Sequence, residues 1–240
     1  MKRRSFFTLL ELLIAMGLVA MLLTTISYYY LQLVVLDQKT EQLQNEIYQL
    51  AYLESRLAQV LPRAVPEGKR GKPFFFYTAS DSKGGLFKEG TTSLVFVYDN
   101  GIDLDKKLAN EVVGRLFVDT EGRLTLASWP VPKRWDKDKE PPMKKEILLD
   151  GVEAIRFSFY YPPQVDQSKV VGKVSPQVQA KRSLFLEQDD HWYDSWLQDY
   201  YMLPAIMRIE LERKAAGEPV QRFQLAFPLP NASQVIYYQS

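Results

Sequence analysis

An apolar run near the N-terminus constrains this chain more than any other feature of its sequence. From Phe6 to Leu36, 31 residues contain a single charged side chain, that of Glu11. A helix needs roughly 20 predominantly apolar residues to cross a bilayer, so this run is long enough. A cleaved secretory signal has a shorter apolar core followed by small residues, whereas this run continues into three tyrosines, Tyr28 to Tyr30. The run therefore predicts one membrane-spanning helix.

The charges that flank this run predict its orientation. Lys2, Arg3 and Arg4 precede the run, and cationic flanks of a membrane span stay in the cytoplasm. We therefore expect a single-pass inner-membrane protein with a cytoplasmic N-terminus. The C-terminal body is then exported, and in a diderm bacterium it is periplasmic.

The charge of the body excludes a class of function. The formal net charge of the chain is +1, and the first 36 residues carry +2, which leaves −1 for the remainder. Binding to duplex nucleic acid needs a clustered excess of Lys and Arg, so we do not expect a nucleic-acid partner. The chain has no cysteine, which excludes disulfides, thiolate nucleophiles and thiolate metal sites.

Glu11 is the most informative residue within the apolar run. An ionisable group at membrane depth costs several kcal/mol unless it is paired, so an intramembrane Glu is a functional hypothesis that requires a partner. The alternative is that its side chain reaches the membrane surface, because Glu11 lies only about 8 Å along the helix from Phe6.

Helical periodicity continues beyond the membrane. Apolar residues recur at spacings of three, four and seven, and charged residues take the other faces. Pro62 and Pro66 should end the helix, since a proline removes a backbone donor. One helix from about residue 6 to 61 would be about 84 Å long, and its second half would pack one stripe against the body. The expected stripe comprises Leu43, Ile47, Leu50, Leu57 and Leu61, flanked by Leu53 and Val60.

The rest of the chain has the pattern of short strands separated by turn residues. Ile155, Phe157, Phe159 and Tyr161 alternate with polar or half-polar residues, which is typical of an antiparallel strand buried on one face. Hairpins are predicted at Asp119–Gly122 and at Ala216-Gly217. The fold class is therefore α+β, with the amphipathic half of the helix packed on antiparallel sheets. The predicted strands are 74–77, 94–98, 112–118, 124–128, 146–149, 152–161, 206–213, 220–227 and 235–238.

Little in the sequence indicates catalysis. His191 is the only histidine, and no nucleophile-elbow, phosphate-binding or dinucleotide-binding motif accompanies it. We therefore expect no enzyme activity and no cofactor. Asp99, Asp103 and Asp105, with Asn100, are weak candidates for calcium binding through oxygen ligands, as is the cluster of Asp189, Asp190 and Asp194; neither has the complete spacing of an EF-hand loop.

An aromatic segment around Trp192, Tyr193 and Trp196 has two interpretations. Exposed aromatic side chains with few neighbouring charges mark partner surfaces, whereas buried ones fill a core. The sequence leaves both interpretations open.

The N-terminal residues resemble a known signal. Phe7-Thr8-Leu9-Leu10-Glu11, after a short basic leader, resembles the class III signal of type IV pilins and type II secretion pseudopilins. The resemblance implies that a prepilin peptidase removes residues 1–6, that Phe7 becomes the methylated N-terminus, and that Glu11 pairs with the N-terminal amine of a neighbouring subunit. Phe6 departs from this pattern, because the family has a small residue before the cut. Cleavage before Phe6 would instead place Ser5 there.

Further stretches narrow the resemblance to the J-type minor pseudopilins of type II secretion. They are Glu54–Gln59 with Pro62–Val65, Leu148–Val152, Trp192 with Trp196, and Leu203–Ile206. This resemblance implies a pilin-like fold and a non-enzymatic protein of the pseudopilus tip that primes filament assembly. The implied partners are the I- and K-type minor pseudopilins, the major pseudopilin, the prepilin peptidase and the inner-membrane assembly platform.

The expected organisation follows from these boundaries. Residues 1–6 form the leader, 7–36 the membrane and assembly helix, 37–62 the amphipathic continuation, and 63–240 the β-rich periplasmic domain. Two alternatives remain, a minor type IV pilin that primes a pilus and a membrane-tethered periplasmic enzyme or sensor.

Overall fold

A computed structural model describes residues 9–66, 75–80, 86–131, 143–162, 191–214 and 219–232. Phe6, Phe7, Asp189, Asp190 and the predicted strand 235–238 lie outside these residues. The chain divides into two compact units, with the boundary between Gln49 and Leu50.

One uninterrupted helix, α1, runs from Leu9 to Val60 and continues into a short 3-10 helix from Leu61 to Arg63. The backbone N–H of Ala64 donates to the carbonyl of Leu61 at 3.0 Å, which closes the last turn. Pro62 lies in this 3-10 turn, where its missing N–H interrupts no α-helical bond. The predicted single long helix and its end point are therefore confirmed.

The first unit consists of the part of α1 up to Gln49. Every large apolar side chain between Leu9 and Leu36 is at least 37% exposed. Such exposure would be unfavourable in water, because each large apolar side chain gains about 1.5–3 kcal/mol on burial. This part of the helix therefore favours an apolar environment.

The second unit contains two antiparallel sheets. A five-stranded sheet has the order β1-β2-β3-β4-β5, and a four-stranded sheet has the order β7-β6-β8-β9. The strands are β1 (Phe76–Ser80), β2 (Thr92–Asp99), β3 (Glu111–Val118), β4 (Leu124–Pro130), β5 (Lys144–Leu149), β6 (Val152–Tyr161), β7 (His191–Tyr193), β8 (Ile206–Arg213) and β9 (Gln221–Pro228). All except β7 were predicted, with ends that differ by a few residues at most. Three residues are too few for a periodic pattern to be recognised.

The hairpin between β3 and β4 has the predicted turn. Gly122 adopts a φ of 76°, a conformation that costs a non-glycine residue about 1–2 kcal/mol. Asp119 Oδ1 accepts hydrogen bonds from the backbone N–H groups of Glu121 (3.0 Å) and Arg123 (2.9 Å). β8 and β9 also pair antiparallel, as predicted, although Ala216 and Gly217 lie outside the described residues.

The main core of the second unit lies between the last turns of α1 and both sheets. Leu53, Leu57, Val60 and Leu61 are at most 1% exposed and pack with inward residues of β2, β3, β6 and β8. On β6, the four alternating residues that the sequence singled out are all buried. The α+β prediction, with the second half of the helix packed on antiparallel sheets, is therefore confirmed.

The buried stripe of the helix is shorter than predicted. Leu43 and Ile47 are 57% and 64% exposed, and the fully buried residues begin at Leu53. The prediction was wrong for Leu43 and Ile47. Helical periodicity identifies the face that can be buried, but it does not show how far along the helix a sheet extends.

A second apolar cluster occupies the opposite face of the five-stranded sheet. Val95, Val97, Val113, Phe117 and Trp129 are each at most 6% exposed. β2 and β3 are therefore buried on both faces. This explains why their sequences are almost continuously apolar instead of alternating.

Candidate assembly surface

The exposed apolar part of α1 is the main candidate for an assembly surface. α1 is the one helix of the described chain that is long and apolar enough to cross a membrane, and its apolar stretch is not buried. Thr24 and Thr25 donate their hydroxyls to the carbonyls of Ala20 (2.8 Å) and Met21 (2.9 Å). Polar groups within a membrane must be satisfied internally, and these hydroxyls are satisfied by their own helix. The segment fits a single-pass membrane anchor.

Glu11 lies two residues after the first described residue of α1, among exposed apolar side chains. A charged carboxylate loses its hydration in a bilayer, so it favours a cationic partner. The sequence prediction for Glu11 therefore remains a prediction that concerns a neighbouring molecule.

A polar junction joins the last part of α1 to β5. The guanidinium of Arg56 makes a bidentate contact with Glu146, with Nε 2.9 Å from Oε1 and Nη2 3.0 Å from Oε2. The hydroxyl of Tyr52, one helical turn away, donates to Oε1 of the same carboxylate. The side chains of Arg56 and Glu146 are 25% and 21% exposed. We call these three residues the helix–strand junction.

The electrostatics of the junction favour the charged pair. Burial alone would lower the pKa of Arg56, but the hydrogen bond and negative charge of Glu146 outweigh it, so this pKa is raised. The hydrogen bond to Glu146 is also the largest cause of the raised pKa of Tyr52. Deprotonating Tyr52 would place a second negative charge beside Glu146. The hydroxyl therefore remains a donor at physiological pH.

The carboxylates of the acidic loop between β2 and β3 accept hydrogen bonds from backbone N–H groups. Asp99 accepts from Gly101 N (2.9 Å), Asp103 from Asp105 N (3.0 Å), and Asp105 from Lys107 N (2.9 Å). These bonds fix the loop backbone, and the bond from Asp105 N is the main reason that the pKa of Asp103 is lowered. Among the described residues, no group of three or more His, Cys, Asp or Glu side chains lies close enough to hold a metal ion.

The aromatic segment separates into a buried and a surface part. Trp196 is 0% exposed, and its indole N–H donates to the carbonyl of Met202 at 2.9 Å. Trp192 and Tyr193 are half-buried. The guanidinium of Arg208 lies 3.9 Å from the centre of the Trp192 ring, a favourable cation–π contact. Trp196 is thus a core residue, whereas Trp192 and Tyr193 remain candidates for a partner surface.

Sequence reasoning missed the helix–strand junction. Tyr52 and Arg56 are separated by one helical turn and lie directly beside the buried Leu53 and Leu57. This position beside the buried stripe was a signal that their side chains lie near the sheet. Nothing local indicated Glu146 as the acceptor, because 90 residues separate it from Arg56.

The sequence and the structure each resemble known proteins. A chain of the crystal structure of the GspK-GspI-GspJ complex from the enterotoxigenic Escherichia coli type 2 secretion system matches with 15% identity and a TM-score of 0.47, covering 76% of this chain and 96% of that chain. A search of curated protein sequences gave no significant match. The model of the family T2SSJ, described as type II secretion system protein J, matches residues 34–225. Because this match spans well over half of the sequence, the chain belongs to the T2SSJ family and is a minor pseudopilin of the type II secretion system.

Proposed function

We propose that this pseudopilin is held in the inner membrane by residues 7–36, with its N-terminus in the cytoplasm and residues 63–240 in the periplasm. The observation that carries the proposal is the exposed apolar half of α1, which contains one acidic residue, Glu11. The cations at positions 2–4 support this orientation. In this arrangement the same helix surface serves first as a membrane anchor and then as a packing surface between subunits.

Glu11 supplies the specific contact within this packing. Its carboxylate forms an ion pair with the N-terminal amine of a neighbouring subunit. Neither charge then faces the lipid alone. In a medium of low dielectric constant, such a pair is much stronger than in water. Two opposite charges cost less in lipid as a pair than apart, so this contact favours the assembled form.

The partners follow from membership of the J-type family. The chain joins I- and K-type minor pseudopilins in a complex at the tip of the pseudopilus, and this complex primes filament assembly for export of folded proteins. The protein contributes packing and orientation, without catalysis. Trp192 and Tyr193 are candidates for contacts with these partners, because they are the part of the aromatic segment that solvent reaches.

Replacing Glu11 with Leu tests the assembly role. We expect full-length Glu11→Leu to reach the membrane but to lose co-purification with the I- and K-type pseudopilins, because the neighbouring amine loses its counter-charge. Glu41→Leu is a matched control, since Glu41 is an exposed glutamate of the same helix outside the apolar run. Normal assembly and normal secretion with Glu11→Leu would exclude the proposed pairing.

Intact-mass and N-terminal analysis of the membrane-extracted protein tests the processing. With the prepilin peptidase present, we expect loss of the leader and a methyl group on Phe7 or on Phe6. Without the peptidase, the full mass should remain. An unchanged mass in both strains would mean that this chain is not processed.

A further inference from the structure

We propose that Glu146 is a positioning residue for assembly, because it fixes the rotation of the last turns of α1 on the β-domain. The proposal extends the assembly role given above and rests on it. The carrying observation is the helix–strand junction, in which one carboxylate receives three hydrogen bonds from Arg56 and a fourth from Tyr52.

The apolar contacts of the helix are less directional than its polar contacts. Leu53, Leu57 and Val60 are almost completely buried, and hydrophobic attraction depends mainly on the area removed from water. Hydrogen bonds depend on angle as well as distance, so they discriminate more sharply between small rotations of the helix. Polar contacts beside the stripe therefore add a directional constraint.

The junction has the geometry of such a constraint. A bidentate contact between a guanidinium and a carboxylate fixes the plane of both groups as well as their separation. Tyr52 reaches the same carboxylate from the preceding helical turn. Two points of attachment separated along the helix axis restrict rotation and sliding together.

The position of the junction on the sheet supports a positioning role. β5 is an end strand of the five-stranded sheet and pairs with β4. End strands require charges or a covering element to prevent unwanted pairing, and here α1 contacts the strand through the junction. Two residues earlier on the same strand, Lys144 Nζ lies 3.6 Å from Asp103 Oδ2 in the loop between β2 and β3. β5 is thus attached both to the helix and to this loop.

The ion pair between Arg56 and Glu146 is expected to affect the orientation of the helix more than the free energy of folding. An ion pair that is largely removed from water recovers only part of its desolvation cost, so its net contribution to folding is small. Its effect on which arrangement is adopted can nevertheless be large, because rotated arrangements would leave Glu146 and Arg56 half-buried without each other.

A distance measurement in the full-length protein tests this directly. The chain has no cysteine, so spin labels can be placed at Glu54→Cys on α1 and at Thr120→Cys in the β3–β4 turn, both of which are exposed positions. In detergent, we expect a narrow distance distribution that broadens or shifts in Glu146→Ala and in Arg56→Met. The second variant keeps an unbranched apolar side chain in the helix, so it guards against a general loss of folding.

Glu212→Ala is the matched control. Glu212 is also a strand glutamate that contacts an arginine, Arg222, at 3.2 Å, and its side chain is 24% exposed, against 21% for Glu146. We expect Glu212→Ala to leave the distance distribution unchanged. An unchanged distribution in both junction variants, or an equal broadening in the control, would overturn the proposal.

Co-purification with I- and K-type pseudopilins provides the second measurement. We expect Glu146→Ala to lose the partners while retaining the wild-type tryptophan fluorescence of a folded β-domain. Retention of the partners by Glu146→Ala would overturn the role in assembly. The label distance does not depend on partners, so failure of the Glu11 pairing would leave the orientation result intact, and the two proposals fail separately.

Discussion

Replacing Leu57 with Ala is the most direct test of where the helix meets the β-domain. The Leu57 side chain is 0% exposed and lies in the main core. Leu→Ala substitutions in a core cost about 2–5 kcal/mol, and the larger values occur where the surroundings cannot collapse into the cavity. Because Leu57 lies between a helix and two sheets, which constrain its surroundings, we expect a loss of about 3 kcal/mol.

The control is the same substitution at Leu43, which is 57% exposed. A surface substitution of this kind should change the free energy of unfolding by no more than about 0.5 kcal/mol. Both variants can be measured as full-length protein in detergent by urea unfolding. Trp129 and Trp196 are 2% and 0% exposed, so their fluorescence reports on the β-domain.

The expected readout is a large shift for one variant only. With a urea slope of about 2 kcal/mol/M, a loss of 3 kcal/mol lowers the unfolding midpoint by about 1.5 M. The slope itself should not change, since the substitution alters stability and not the surface exposed on unfolding. Equal losses of unfolding free energy at Leu43 and Leu57 would refute the reasoning, because they would show that Leu43 is buried as helical periodicity predicted. A loss below about 0.5 kcal/mol at Leu57 would refute the assigned burial.

Three further predictions follow from the polar contacts and the aromatic segment. In a double-mutant cycle with Arg56→Ala and Glu146→Ala, we expect a coupling free energy of about 1 kcal/mol, measured by urea unfolding, and a coupling near zero would contradict the bidentate contact. Tyr52 has a folded-state pKa above its ordinary value, so its contribution to stability is complete below about pH 10 and decreases as the pH rises through the folded-state pKa. Tyr52→Phe should therefore remove part of the alkaline loss of stability above about pH 10, and identical profiles for the two proteins would exclude this. Trp196→Phe should lower the free energy of unfolding by about 1–3 kcal/mol, because the Met202 carbonyl loses its donor. Trp192→Phe changes a half-buried position and should cost less. The reverse order in thermal or urea unfolding would contradict the assignment of Trp196 to the core and of Trp192 to the surface.

The elements that sequence reasoning located correctly have local causes. The long helix follows from a continuous apolar run and from the prolines at its end. Both features are in the sequence of the helix itself or next to it. The alternation along β6 predicted its buried face because side chains on a strand alternate between faces. The turn at Gly122 followed from the same kind of local rule, since glycine adopts positive φ at little cost.

The features that were missed depend on contacts between distant parts of the chain. Nothing near Leu43 in the sequence distinguishes it from Leu57, yet Leu43 is 57% exposed and Leu57 is 0% exposed. The choice between core and surface at Trp192 and Trp196 depended on which strands lie beneath them.

The sequence by itself determined the apolar helix, the position of Glu11 in it, the positions of most strands along the chain and the resemblance to pseudopilins, because each is encoded in neighbouring residues. Only the tertiary structure decided where the buried stripe begins, which tryptophan is in the core, and that Arg56 and Tyr52 meet Glu146. The physical reason is that burial and ion pairing depend on spatial neighbours. Arg56 and Glu146 are neighbours in space although 90 residues separate them in the sequence.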